Sequence, residues 1–239
     1  MADPYLLLWL EAPLQSWGHD SRFGRRDSLS FPTKSGVLGL VCCALGRSGP
    51  QREWLEAWSH TDLEIIAYPR SSEAGHSVPI PPLLRDFQMV GSHYDDHDPW
   101  QNLMIPKTSD GKKAVGGGTK MTYRYYLQDT AFAVALQGTE DLVEEAAAGL
   151  QAPVWDIYLG RKTCAPTELV YQGIFQELKS AFSRADVLAQ EKQRKASFRV
   201  RQGEHEGEVL TLNDEPIQFG TRKQYRDRRV TVIPINFDE

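Results

Sequence analysis

The sequence predicts an α+β protein built on a βαββαβ unit of the ferredoxin-like, or RRM-like, kind. Three observations carry this expectation. Apolar strand-like runs alternate with two helix-like segments in that order over residues 5–160. A long segment, 71–126, interrupts the order and lacks sustained periodicity. Beyond residue 170 the chain holds one amphipathic stretch and then several short strand-like runs.

"YLLLWLEA" (5–12) is almost continuously apolar, the pattern of a central strand covered on both faces. Residues 13–34 form a loop containing Pro13, Gly18, Gly24 and Pro32, and "GVLGLVCCALG" then suggests a helix capped by Thr33 or Ser35. Gly36, Gly39 and Gly46 lower its propensity and point to close packing on a sheet. "REWLEAWSH" (52–60) reads as a short helix and "LEIIAYPR" (63–70) as a strand. A structureless stretch as long as 71–126 is unusual inside a compact domain. It reads as a projecting insertion whose flanks, "LLRDFQMV" (83–90) and "TKMTYRYYL" (119–127), pair as a long hairpin. "AFAVALQG" (131–138) is a core strand, "EDLVEEAAAGL" (140–150) the strongest helix, and "VWDIYLG" (154–160) an extended segment closing the unit. "FQELKSAFSRADVLAQEKQ" (175–193) reads as partly helical, and "SFRVR", "GEVLTLN", "PIQF" and "RRVTVIPINF" as short strands. The expected organisation is an RRM-like core over 1–170, with the insertion at about 78–127, and a β-rich extension over 171–239 packed on that core.

The 239 residues are 41% hydrophobic and carry a formal net charge of −5. That balance excludes bulk attraction to nucleic acid, so any anion site must be local. The first apolar run lacks a cationic n-region and is too short to span a bilayer. Three cysteines, Cys42, Cys43 and Cys164, suit a reducing cytoplasm and lack the spacing of a disulfide framework or a zinc site. His93 and His97 stand four apart beside Asp95, Asp96 and Asp98, but "YDDHDP" is turn-like, and no metal is expected. "GGG" at 116–118 is no P-loop, and neither G-x-G-x-x-G nor G-x-S-x-G occurs. No cofactor is expected.

The loop "WGHDSRFGRRDSLSFPTKSG" (17–36) stands out against this acidic background. Arg22, Arg25, Arg26 and Lys34 can meet phosphates beside a helix N-terminus, and Trp17, Phe23 and Phe31 can stack on bases. The competing reading is a solvated loop whose aromatics pack inward. "YLGRKTCAP" (158–166) sets Arg161 and Lys162 after a glycine turn, which alone reads as a solvated strand end. "TRKQYRDRR" (221–229) is cationic, and its Tyr225 is a stacker or a packing residue. His19, Lys34 and Tyr158 are conceivable members of a metal-independent ribonuclease site, although nothing in their spacing demands that role.

At "APLQSWG", "FPTKSGVLGLVCCALG", "LLRDF", "AFAVAL" and "YLGRKTCAP" the sequence resembles the Cas-five family, in its type I-E CRISPR Cascade branch. The resemblance is clearest over 5–46, 83–90, 119–137 and 155–166, and weakens across 91–118 and after about 170. It implies an RRM-like domain with a protruding β-hairpin thumb, acting in antiviral defence as a non-catalytic, cytoplasmic RNA-binding subunit. That subunit would hold the 5′ handle of the CRISPR RNA at one end of the ribonucleoprotein. Its thumb would press on the adjacent backbone subunit CasC, with the large subunit CasA nearby and target DNA reached only through the complex. The handle role maps onto Trp17, Arg22, Arg25, Arg26, Lys34, Ser35, Arg161 and Lys162, and thumb contacts onto Arg85, Phe87, Lys120, Thr122 and Arg124. Two other readings remain: precursor-RNA cleavage, as in some type I-C members of the family, and a purely protein-bridging role.

Overall fold

The computed structural model describes residues 3–19, 21, 24–71, 80–90, 97–104, 107–108, 110–112 and 120–235. In chain order, β1 (Tyr5–Glu11) is followed by two short strands, β2 (Leu14–Gln15) and β3 (Arg25–Arg26), and by α1 (Lys34–Ala44) and α2 (Arg52–Ser59). Next come β4 (Leu63–Tyr68), β5 (Leu84–Val90), the short α3 (Pro99–Met104) and β6 (Lys120–Gln128). β7 (Ala131–Gln137), α4 (Glu140–Gln151), β8 (Tyr171–Phe175) and α5 (Leu178–Glu191) lead to β9 (Phe198–Gln202), β10 (Glu208–Gln218) and β11 (Gln224–Pro234).

The main sheet is seven-stranded, in the order β10-β11-β9-β4-β7-β1-β8, with antiparallel pairing throughout. Taken as members of the βαββαβ unit, β1, β4, β7 and β8 stand in the order fourth, first, third, second. β1 reads as apolar throughout because it is buried on both faces. Leu6, Leu8 and Leu10 share one core with Val37, Val41, Trp54, Trp58 and Val143, from α1, α2 and α4. Leu7 and Trp9 share the other core with Phe182 and Leu188 of α5. On that second face Ala131, Ala133 and Ala135 lie in the same core as Ala181, Ala185 and Ala189, and such small side chains let sheet and helix approach closely. RRM-like sheets often offer one face to RNA. Here α5 covers the face of β1 and β7 that points away from α1 and α4.

Two expectations are corrected. Residues 154–160 are not the closing strand. Their backbone is spent on loop contacts, with the Val154 N–H donating to the Ala44 carbonyl at 2.8 Å and the Leu159 N–H to the Cys164 carbonyl at 2.8 Å. The strand beside β1 is β8, whose signal is masked by Gly173 at φ +133° next to a register shift. The runs "GEVLTLN" and "PIQF" are one strand, β10, bent by register irregularities between Leu212 and Glu215 and between Pro216 and Gln218. The expected hairpin of the insertion is present as β5 and β6, in register from Leu84↔Tyr126 to Val90↔Lys120.

Candidate nucleic-acid interface

The loop after β1 is a folded clasp. Gln15 is buried and donates to the carbonyls of Leu10 (3.1 Å) and Thr130 (2.6 Å). The Leu29 N–H donates to the Trp17 carbonyl at 2.8 Å, closing the loop on itself. Trp17 and Phe31 are each 1% exposed, so the rings pack inward and Trp17 offers no stacking face to RNA. The Trp17 ring lies where a Cβ on Gly36 would come within 2.8 Å, so it is a ring, not another backbone, that this glycine admits to α1. Thr33 is the N-cap, accepting from the Gly36 N–H at 3.1 Å.

Burial of the rings leaves the cations outside. Arg25 and Arg26 pair in parallel with Tyr123 and Arg124 of β6, and the Tyr123 N–H donates to the Gly24 carbonyl at 2.7 Å. Arg25 is exposed, bonded to Asp27 at 2.8 Å, with its guanidinium 5.0 Å from the Tyr125 ring centroid. Arg161 Nη2 donates to the Arg26 carbonyl at 2.9 Å, and its guanidinium stacks 4.5 Å from the Tyr126 centroid. Lys162 is exposed beside it. Gly160 sets this turn: its φ is +90°, and a Cβ there would fall 1.7 Å from the Ser16 carbonyl oxygen. The fold therefore strings Arg25, Arg26 and Arg161 along β6, with Arg25 over Tyr125 on one face and Arg161 over Tyr126 on the other, and with Arg124 paired to Arg26.

Lys34 is a different case and corrects the expectation for it. Its side chain is 0% exposed, 2.9 Å from Glu215 Oε2, and it donates to the Thr61 carbonyl at 2.9 Å. Its backbone N–H donates to Asp214 Oδ2 at 2.8 Å, and Asp214 is gripped in turn by Arg228 at 2.7 and 2.9 Å. Burial pushes the Lys34 ammonium below and the Glu215 carboxyl above their ordinary values, and each charge counters the shift of the other. Lys34 is thus an internal ion that ties α1 to β10. Its burial also takes it out of the His19, Lys34, Tyr158 set. Arg22, Phe23, His93, Asp95 and Asp96 lie outside the described residues, and among those described no cluster of metal-ligating side chains occurs.

Four of the five hairpin residues divide between two faces, because directly opposed residues of an antiparallel pair share a face and neighbours alternate. Arg85 and Phe87 lie with Met89, Met121, Tyr123 and Tyr125, whereas Thr122 and Arg124 lie with Asp86 and Gln88. Lys120 pairs with Val90 at the far end of the register, and its side chain lies outside the described residues. The first face is exposed and apolar, with Phe87 46%, Met89 57%, Met121 57% and Tyr123 42% accessible. Arg85 covers the Tyr123 ring at 5.7 Å.

Two connected hollows flank the cationic group. One, of about 510 Å³, is lined by Ser35, Gly39, Trp155, Tyr158, Lys223 and Tyr225 among others. The second, of about 740 Å³, shares Gly18, Ser35, Lys223 and Tyr225 with it and adds Arg26 and His19. Cys42 also lines the first hollow, and burial pushes its thiol up to about 12, so it stays protonated. Sequence reasoning missed Gly39, Trp155 and Lys223 and left Tyr225 undecided. The β10–β11 turn becomes a wall only through a long-range contact, the Phe219 N–H donating to the Pro50 carbonyl at 2.9 Å.

The family model described as CRISPR-associated protein (Cas_Cas5) matches residues 5–231. The chain belongs to this family. Within the Cas-five family it is similar to the CRISPR system Cascade subunit CasD of Escherichia coli (strain K12), at 31% identity over 182 residues, 72% of this chain and 71% of that one. A chain of a solved structure titled CRISPR RNA-guided surveillance complex superposes with a TM-score of 0.66 at 26% identity, covering 96% of this chain and 89% of that one. Another, titled Crystal structure of Cas protein, gives a TM-score of 0.61 at 24% identity over 97% and 94% of the two chains, a likeness of fold. The motif resemblance stated above thus holds at the level of the Cas-five family.

Proposed function

We propose that this protein is a non-catalytic subunit of a type I-E CRISPR Cascade ribonucleoprotein, binding the 5′ handle of the CRISPR RNA and capping the backbone filament. Its core is the RRM-like βαββαβ unit, of residues 1–170 with β8 lent by the following segment; of the rest of 171–239, α5 packs on one face and β9, β10 and β11 extend the sheet. Its hairpin is the thumb, laid against CasC, with CasA close by and target DNA engaged only through the assembly. The site of action is cytoplasmic, and no cofactor takes part.

One observation carries the reading: in a chain of net charge −5, Arg25 and Arg26 are held side by side against β6, Arg161 is bonded to the Arg26 carbonyl, and Arg26 lines an open hollow. A fixed single-stranded RNA end is recognised by backbone shape, base edges and stacking, so a small cationic site suffices. A globally basic surface would attract any nucleic acid. Ser35 lines the groove and belongs to the site, whereas Trp17 and Lys34 support it from beneath. The exposed apolar face of Phe87, Met89, Met121 and Tyr123 is the surface offered to CasC, and Arg124 with Lys120 and Thr122 is assigned to the RNA side. The test is the pair of changes Arg25→Glu and Arg26→Glu in the assembled complex. Nuclease protection of the RNA 5′ end should fall while the isolated variant keeps its melting temperature. Unchanged protection would count against the reading.

A further inference from the structure

We propose that the hollow floored by Gly39 is a base pocket, taking a single unstacked nucleobase of the handle while the adjoining groove carries the phosphates. This rests on the handle-binding reading and adds to it a subsite. Gly39 lies within α1, yet a Cβ on it would meet nothing within 4 Å, so the helix surface there is bare. Aromatic residues from two separate segments line the same hollow: Trp155 and Tyr158 from the loop after α4, and Tyr225 from β11. Among the described residues no Asp or Glu lines it, although the chain has 32 acidic residues, while Arg47 and Lys223 do. Its volume, about 510 Å³, lies in the range of small-ligand pockets, about 300–1,000 Å³. A flat, ring-shaped, anion-linked ligand suits these walls, and single-stranded RNA bases are recognised by being splayed out and stacked on aromatic side chains. The second hollow continues past Lys223 and Arg26, with the one carboxylate among its described lining residues, Asp227, bonded to Asn213 at 2.6 Å, and gives the backbone a path out of the pocket.

The experiment uses the full-length protein and the 5′ segment of the RNA recovered from the assembled complex. That segment is resynthesised with one abasic ribose at each position in turn. Stacking of one base is worth roughly 5- to 160-fold in affinity, so a single abasic position should weaken binding by about 10-fold or more. Gly39→Leu places apolar volume in the hollow from a position where the added Cβ meets no atom within 4 Å. It should fold at least as well as the parent, bind the intact RNA as weakly as the parent binds the abasic one, and ignore the abasic change. Tyr225→Leu, on a half-buried wall residue, provides a second arm with the same expectation. A flat abasic profile, or a Gly39→Leu variant that discriminates like the parent, overturns the base pocket. If Arg25→Glu with Arg26→Glu still weakens binding in that case, the handle reading survives without the pocket. If it does not, both fall.

Discussion

Replacing Lys34 with Met should destabilise the fold and leave the salt dependence of RNA binding alone. The ammonium is fully enclosed, 2.9 Å from a carboxylate that is itself 8% exposed. Removing one partner of such a pair leaves an uncompensated buried charge and costs about 3–5 kcal/mol, whereas replacing both partners by apolar groups is often nearly neutral. For a chain of this size that is a fall of about 6–20 °C in melting temperature. Glu215 already has one buried oxygen, Oε1, without a hydrogen-bond partner, so the loss is not softened locally. The double change Lys34→Met with Glu215→Met should therefore recover more than half of the deficit. The sign of the pH effect follows from burial, which raises Glu215 above its ordinary value. Without Lys34 the rise is larger, and the folded state then binds a proton that the unfolded state releases. Stability of the single variant should fall as pH rises through the folded value of Glu215, and the deficit should vanish below the unfolded value, about 4.3. Equilibrium urea denaturation from about pH 4, just below the unfolded Glu value, up to about pH 8 measures both effects. A cost below about 1 kcal/mol, joined to a salt slope for RNA reduced by about 0.7, the share of one phosphate on a single strand, would refute the structural role and return Lys34 to the RNA surface.

Three further outcomes are expected. Gly160→Ala should cost at least about 2 kcal/mol by thermal melting, because a positive φ and a clash with the Ser16 carbonyl oppose any Cβ, and it should weaken RNA binding by displacing Arg161. Burial alone would raise the Glu11 and Asp129 carboxyls, but hydrogen bonds and nearby cations hold both below the usual range: Trp9, Arg194 and Lys192 around Glu11, and Arg70 and Arg194 around Asp129. Their contribution is complete above about pH 4.3, the unfolded value for Glu, and is lost as pH falls through the folded values, so Glu11→Gln should flatten the acid limb of a stability–pH curve. Met121→Asp on the exposed hairpin face should change the melting temperature of the isolated protein by less than about 2 °C, a surface-sized effect, yet abolish pull-down by CasC.

How much of this was legible in the sequence follows from which forces are local. The apolar runs of β1, β4 and β7, a cap at Thr33 or Ser35 (Thr33 in the structure) and the pairing of β5 with β6 declare themselves in patterns of a few residues. β8 does not, because Gly173 and half-buried side chains on both faces give an edge strand no period. The loop cations Arg25 and Arg26 could be read from charge contrast. Lys34 stood in the same run but folds into the interior, because its partners, Asp214 and Glu215, lie about 180 residues away. The same distance hides Lys223 and Tyr225, which join the groove only when the β10–β11 turn closes on Gly49 and Pro50. Trp17 and Phe31 look like stackers in a sequence and are core residues, Trp17 drawn under the helix where Gly36 leaves room for its ring.

A density map of the assembled complex with its CRISPR RNA is the most direct measurement. The account predicts handle phosphates within hydrogen-bond reach of Arg25, Arg26 and Arg161, with no ribonucleotide against α5. RNA running elsewhere, with those guanidiniums facing only solvent or carboxylates of the same chain, would contradict it.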